Sequence, residues 1–203
     1  MTHEKPAKTQ FPVHDLIRRR WSPRAFADRA VDPATLGSLL EAARWSASSN
    51  NAQPWRFLIA TRDQPEHFAA MLDCLAPGNQ TWAGHAPVLM LSVAHLHFDD
   101  QTVNRHALHD VGQAAATLAI QATAIGLVIH QMAGFSIDKA RETFRIPDQY
   151  EPVAAIAVGY QGDAAGLPDR LRVRELAPRE RESLNSIVFA GAWGHTADFL
   201  AEG

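Results

Sequence analysis

Cysteine is nearly absent. Cys74 is the one cysteine in 203 residues, so the chain can close no internal disulfide, which fits a reducing compartment. Cys74 has no base beside it and sits in an apolar helical pattern, so it reads as core. Long apolar runs are missing too: no stretch reaches the roughly 18 uninterrupted residues that a membrane span needs. The polar opening, residues 1–10, lacks the apolar core of a signal peptide and reads as a disordered arm, which makes a soluble, cytoplasmic protein the expectation. Positive charge is not in excess either; at a formal net charge of −3 there is no electrostatic case for nucleic acid. Glycine motifs for phosphates are lacking. Gly159, Gly162 and Gly166 read as a loose loop without Gly-x-Gly-x-x-Gly spacing, and no Gly-Lys-Ser/Thr loop occurs, which argues against a Rossmann site and excludes a P-loop. His95, His97, His106 and His109 lack the carboxylate or thiolate partners at helical spacing that would complete a metal site, so no metal is expected.

What is present is an ordinary globular composition, 46% hydrophobic and 20% charged, with residues 11–203 as a single domain. Residues 11–20 read as a helix with Val13, Leu16 and Ile17 on one face. Asp32-Pro33 supplies an N-cap and first-turn proline for a second helix, buried through Leu36, Leu39, Leu40 and Ala43. A strand follows over residues 55–61, then a helix over 65–75 that Pro77-Gly78 closes. Asn79 to Trp82 form a polar patch, and 88–93 is a continuous apolar run typical of a buried strand. The longest helix spans 104–125, with Leu108, Val111, Ala115, Leu118, Ala122 and Ile125 recurring at three- and four-residue spacing. A short extended run at 127–129, a helix at 137–144 and a strand at 153–158 complete the ordered part. The tail from Pro168 is charged and extended before an apolar finish through Leu184, Ile187, Val188, Phe189 and Trp193.

Two segments carry chemistry. Arg20-Trp21-Ser22-Pro23-Arg24 places two guanidinium groups either side of a hydroxyl, with a proline stiffening the turn. Such donors suit a phosphate monoester, although cations in a last helical turn also simply complement the helix dipole. Ser48-Ser49-Asn50-Asn51-Ala52-Gln53-Pro54 packs short donors and acceptors into a turn, because such side chains compete with helix hydrogen bonds.

Taken with Met132-Ala133-Gly134-Phe135 and Arg179-x-Arg181, these segments resemble the nitroreductase family of FMN-dependent oxidoreductases, in order and approximate spacing, over nearly the whole chain from Phe11. The resemblance implies an α+β fold, a mainly antiparallel sheet of four or five strands flanked by helices. It further implies a homodimer that binds two FMN at its interface and exchanges its terminal segments. It assigns the FMN phosphate and ribityl chain to Arg20, Ser22, Arg24, Arg179 and Arg181, with Trp21 flanking through its backbone. Ser48, Ser49, Asn51 and Gln53 would reach the flavin from the other subunit. Gln131, Met132, Ala133 and Gly134 would run along the ring near N5 and O4, and Asn79 would meet the pyrimidine edge. Trp21, Pro23, Ala47 and Ala133 depart from the commoner residues, which changes the pocket over the flavin but removes no phosphate donor.

The implied chemistry is a ping-pong transfer of hydride from NADPH or NADH through flavin N5 to a nitroarene, quinone or similar small electron-poor acceptor. It needs no protein nucleophile, and no catalytic acid or base is assigned. Enone reduction, reductive dehalogenation or flavin binding without turnover are the alternatives. Relatives with other reactions carry an added lid, and the only candidate here, residues 94–104, is short.

Overall fold

The computed structural model describes residues 3–200. Its centre is a wholly antiparallel sheet of β1 (Trp55–Thr61), β2 (Val88–His95), β3 (Val128–Met132) and β4 (Tyr150–Gly159), ordered β1-β2-β4-β3. The β2 run is apolar throughout because both of its faces are covered. Val88, Met90 and Ala94 point to one cluster, Leu89, Leu91 and Val93 to the other. A bulge between Ser92 and Val93 falls opposite Pro152, which has no N–H for the ladder.

One face carries α2 (Pro33–Arg44) and α5 (Ala107–Ala124), with Leu39 and Ala43 packed in the same core as Val111, Ala114, Leu118 and Ala122. Small alanine side chains let the two helix backbones approach closely. Asp32 caps α2 by accepting the Thr35 N–H at 2.9 Å. The other face carries α3 (Pro65–Asp73) and α4 (Pro77–Ala83), where Phe68, Met71, Cys74 and Trp82 are buried. Deleting the Trp82 ring would cost about 3–5 kcal/mol, as for other buried aromatics. No helix among the described residues is long and apolar enough to cross a membrane.

Several expectations shift. Pro77 opens α4 rather than closing the preceding helix, since a proline at a first helical position loses no hydrogen bond. Asn79 to Trp82 are therefore helical, not an irregular patch. α1 shortens to Asp15–Arg19, and Val13 and Ile17 are exposed rather than buried. Leu108 and Ile125 also face outward; Ala107 and Val111 take the core positions on α5. The tail holds α7 (Asp169–Leu176), which buries only Glu175 and so shows no apolar stripe to betray it. Gly159 and Gly162 are not in a loose loop. A Cβ on Gly162 would come within 2.5 Å of the Phe26 backbone, and the two segments pair there. Residues 3–10 have no regular helix or strand but are tied in: the Ala7 N–H donates to the Arg18 carbonyl at 2.8 Å.

Candidate functional site

Arg20 ends α1, and the next six residues cross toward the sheet. There the Ala27 N–H donates to the Tyr160 carbonyl and the Gly162 N–H to the Ala25 carbonyl, at 2.9 and 2.8 Å. This pairing continues β4 beyond its formal end and fixes where residues 20–26 lie. The tail returns beside them, so that Arg20, Ser22, Arg24, Arg179 and Arg181 line one open depression of about 280 Å³ with Trp21 and Lys5. Burial and the facing guanidinium of Arg181 both pull Arg20 below the usual arginine range. Arg179 is pulled the same way, first by burial and then by Arg20 and Arg181. Like charges facing one another in a partly dry setting repel, and an anion among them relieves the repulsion.

Glu175 holds the two halves together. Its carboxylate is 2% exposed and accepts N–H groups from Arg24, at 2.8 and 3.1 Å, and from Ala25 at 3.1 Å. The Arg24 guanidinium stands 3.8 Å away, so this negative charge is already matched. Arg179 donates to the carbonyls of Lys5 and Arg18 at 2.8 and 3.1 Å. Beneath the turn, His130 Nδ1 lies 3.0 Å from the Pro23 carbonyl, and its ring tilts against Trp82 with centroids 4.5 Å apart. A carbonyl only accepts, so Nδ1 carries the hydrogen. Burial lowers the His130 pKa to about 4 and keeps the ring neutral.

β3 is an edge strand, so one side of its backbone is unpaired within the sheet. Gln131 and Met132 lie in it, Gln131 exposed and Met132 buried, and exposed Ala133 follows. Gly134 meets Asn79: the amide donates to the Gly134 carbonyl at 3.0 Å, and a Cβ on Gly134 would lie 2.7 Å from Asn79 Nδ2. The loop after α2 is strained, with positive φ at Asn50, Asn51 and Gln53. It is held by Ser48 Oγ, which accepts the Gln53 N–H at 3.0 Å, and by buried Asp110, which accepts the Ser49 N–H at 3.0 Å. None of residues 48–53 lines the arginine depression.

The structure thus brings together the Arg20–Arg24 segment with Arg179 and Arg181, and Asn79 with Gly134. Glu175, His130, Asp110 and Lys5 were missed by sequence reasoning. Each supports a neighbour through backbone groups, and nothing in local spacing marks such a role.

A model of the nitroreductase family matches residues 17–160. The chain belongs to that family. A crystal structure described as an oxidoreductase containing FMN superposes with a TM-score of 0.90 at 34% identity, covering 97% of this chain and 100% of that one. An uncharacterized 15.4 kDa protein in the ask 5' region of Mycolicibacterium smegmatis is 37% identical over 130 residues, 64% of this chain and 86% of its own. A Stenotrophomonas maltophilia protein, provisionally named an NADH dehydrogenase/NAD(P)H nitroreductase, is 28% identical over 178 residues, 78% of this chain and 89% of its own. The family match stops short of Glu175, Arg179 and Arg181, so the tail side of the nitroreductase-family depression lies beyond the matched residues.

Proposed function

We propose that this chain is an FMN-dependent NAD(P)H oxidoreductase that reduces nitroaromatic, quinone or similar electron-poor small molecules. The observation that carries the reading is the convergence of Arg20, Arg179 and Arg181 in one depression where the buried carboxylate, Glu175, is already satisfied. That donor set fits a phosphate monoester, and the Gly134–Asn79 contact fits a close approach at the edge strand, so the residues present suit FMN.

When bound, FMN would supply the redox chemistry that couples NAD(P)H oxidation to reduction of the acceptor. The chain's own residues bind and orient. Arg20, Ser22, Arg24, Arg179 and Arg181 hold the phosphate and ribityl end, with Trp21 as backbone flank. Gln131, Met132, Ala133 and Gly134 would lie along the ring, and Asn79 would meet its polar edge. In a homodimer, Ser48, Ser49, Asn51 and Gln53 of a second copy close the other side, in keeping with their separation from the arginine depression within one chain. Donors near the ring favour negative charge on the reduced cofactor. A cytoplasmic location agrees with the lone, buried cysteine.

An anaerobic absorbance spectrum before and after adding NADPH or NADH tests the reading. A yellow protein whose absorbance bleaches is expected. A colourless protein that takes up no added FMN would overturn cofactor and site together.

A further inference from the structure

Beside the arginine depression lies a second and larger cavity, of about 430 Å³, and Lys5, Arg20 and Trp21 line both. Its own wall includes Arg29 and Tyr160, neither of which lines the arginine depression. The Arg29 guanidinium lies over the Tyr160 ring, 3.6 Å from the centroid. Stacking fixes the plane of the guanidinium and leaves its N–H groups radiating at the edge. Among the described residues Arg29 is in no ion pair, whereas neighbouring Arg19 is matched by Asp15. Arg20, half-buried, also has no carboxylate partner there. Among the described residues Glu4 is the one acidic member of the lining, against Lys5, Arg19, Arg20 and Arg29, and buried Leu127 supplies an apolar wall. Free guanidinium edges beside aromatic and aliphatic surface suit a ligand with one phosphate and one flat heterocycle.

We propose that this cavity is the subsite for the adenosine-phosphate end of the NAD(P)H donor, with its phosphate at Arg29. The inference rests on the cofactor reading above, and it supplies what the missing dinucleotide fingerprint leaves open: how the donor's far end is held. Lys5, Arg20 and Trp21 line both depressions, which puts this cavity next to the phosphate end of the proposed FMN, within reach of a donor as long as a dinucleotide.

The test is calorimetry of the FMN-loaded protein with adenosine 2',5'-bisphosphate and with 5'-AMP, alongside donor kinetics. The bisphosphate should bind, and Arg29→Ala should weaken it about tenfold, or about 1.4 kcal/mol. The donor KM should rise by a similar factor while kcat at saturating donor and FMN content hold. Arg29→Lys, which keeps the charge without the fork, should fall between parent and Arg29→Ala, and it carries the test if the alanine variant fails to fold. Tighter binding of the bisphosphate than of 5'-AMP assigns the cavity to a 2'-phosphate; equal binding assigns it to the 5'-phosphate side. Normal FMN content with no bisphosphate binding, or with binding unchanged in both variants, overturns the subsite and leaves the cofactor reading standing. A preparation that takes up no FMN overturns the cofactor reading instead.

Discussion

Among the described residues Arg20 and Arg181 line the depression with no carboxylate paired to them, and the phosphate of the proposed FMN would answer them. Arg20→Ala or Arg181→Ala should raise the FMN dissociation constant by about 10- to 100-fold, the loss of one charge-assisted contact of about 1.5–3 kcal/mol, while thermal stability changes little. Flavin fluorescence on release checks it, and equal retention in variant and parent would remove the phosphate assignment. Arg20 was legible in the sequence because it and Arg24 flank a hydroxyl within five residues, whereas Arg181 entered only through the family resemblance. Glu175 was not, since a glutamate in a charged tail looks like solvent-facing surface until the backbone amides of residues 24 and 25 arrive beside it. His130 escaped notice for a similar reason, as its value lies in a carbonyl 107 positions away in sequence. Its pKa falls from 6.5 to about 4 on folding, so the unfolded chain binds the extra proton in between. Stability drawn from the neutral ring is therefore complete above about pH 6.5 and is lost as pH falls toward 4, by up to about 3 kcal/mol. Urea midpoints across that range should drop in the parent and flatten in His130→Gln.

Among the elements, β1 and α6 (Ile137–Phe144) fall where the sequence put them, because alternating or periodic apolar residues meet clear proline and serine boundaries. α4 and α7 were illegible: the first buries a single tryptophan and alanine, the second a single glutamate. Neither makes a stripe, and tertiary contacts decide their conformation. The Ser/Asn loop was visible as a loop, but its reliance on Asp110 sixty-one positions away was not. Positive φ at Asn50, Asn51 and Gln53 costs about 1–3 kcal/mol each, which the surrounding bonds must offset. Asp110→Ala, which removes the acceptor of the Ser49 N–H, should lower stability by about 1–3 kcal/mol and open residues 48–53 to limited proteolysis. Cleavage no faster than in the parent would show that the loop holds itself. Gly134→Ala should push Asn79 aside and weaken FMN binding with little loss of fold, read by the same fluorescence release.

At the scale of the whole molecule, large apolar side chains remain in water. Trp193 is 91% exposed, Trp45 73% and Val103 70%, more than a lone globule of 22.3 kDa gains by displaying. A homodimer would cover such surface and bring a second Ser/Asn loop to each flavin. Sedimentation velocity at micromolar concentration should give twice the chain mass, and Trp193→Ala should shift it toward the chain mass and lower FMN content together. A monomer with full FMN content would contradict the shared site. The apolar C-terminal finish pointed to docking, on its own domain or on a partner; the surface it meets is written nowhere in the local sequence.

The carboxylate of Glu175 also sets a timetable. The amides it accepts lie 151 and 150 positions earlier, so the proposed phosphate grip would stay open until Glu175 has left the ribosome. At about 5–20 residues per second that is a wait of roughly 8–30 s after Arg24 has been made. The sheet can pair during that interval, since β4 ends at Gly159. On the proposed reading, flavin capture would wait for residues 175–181, and retention of yellow colour would become a measure of how many chains extend through that segment.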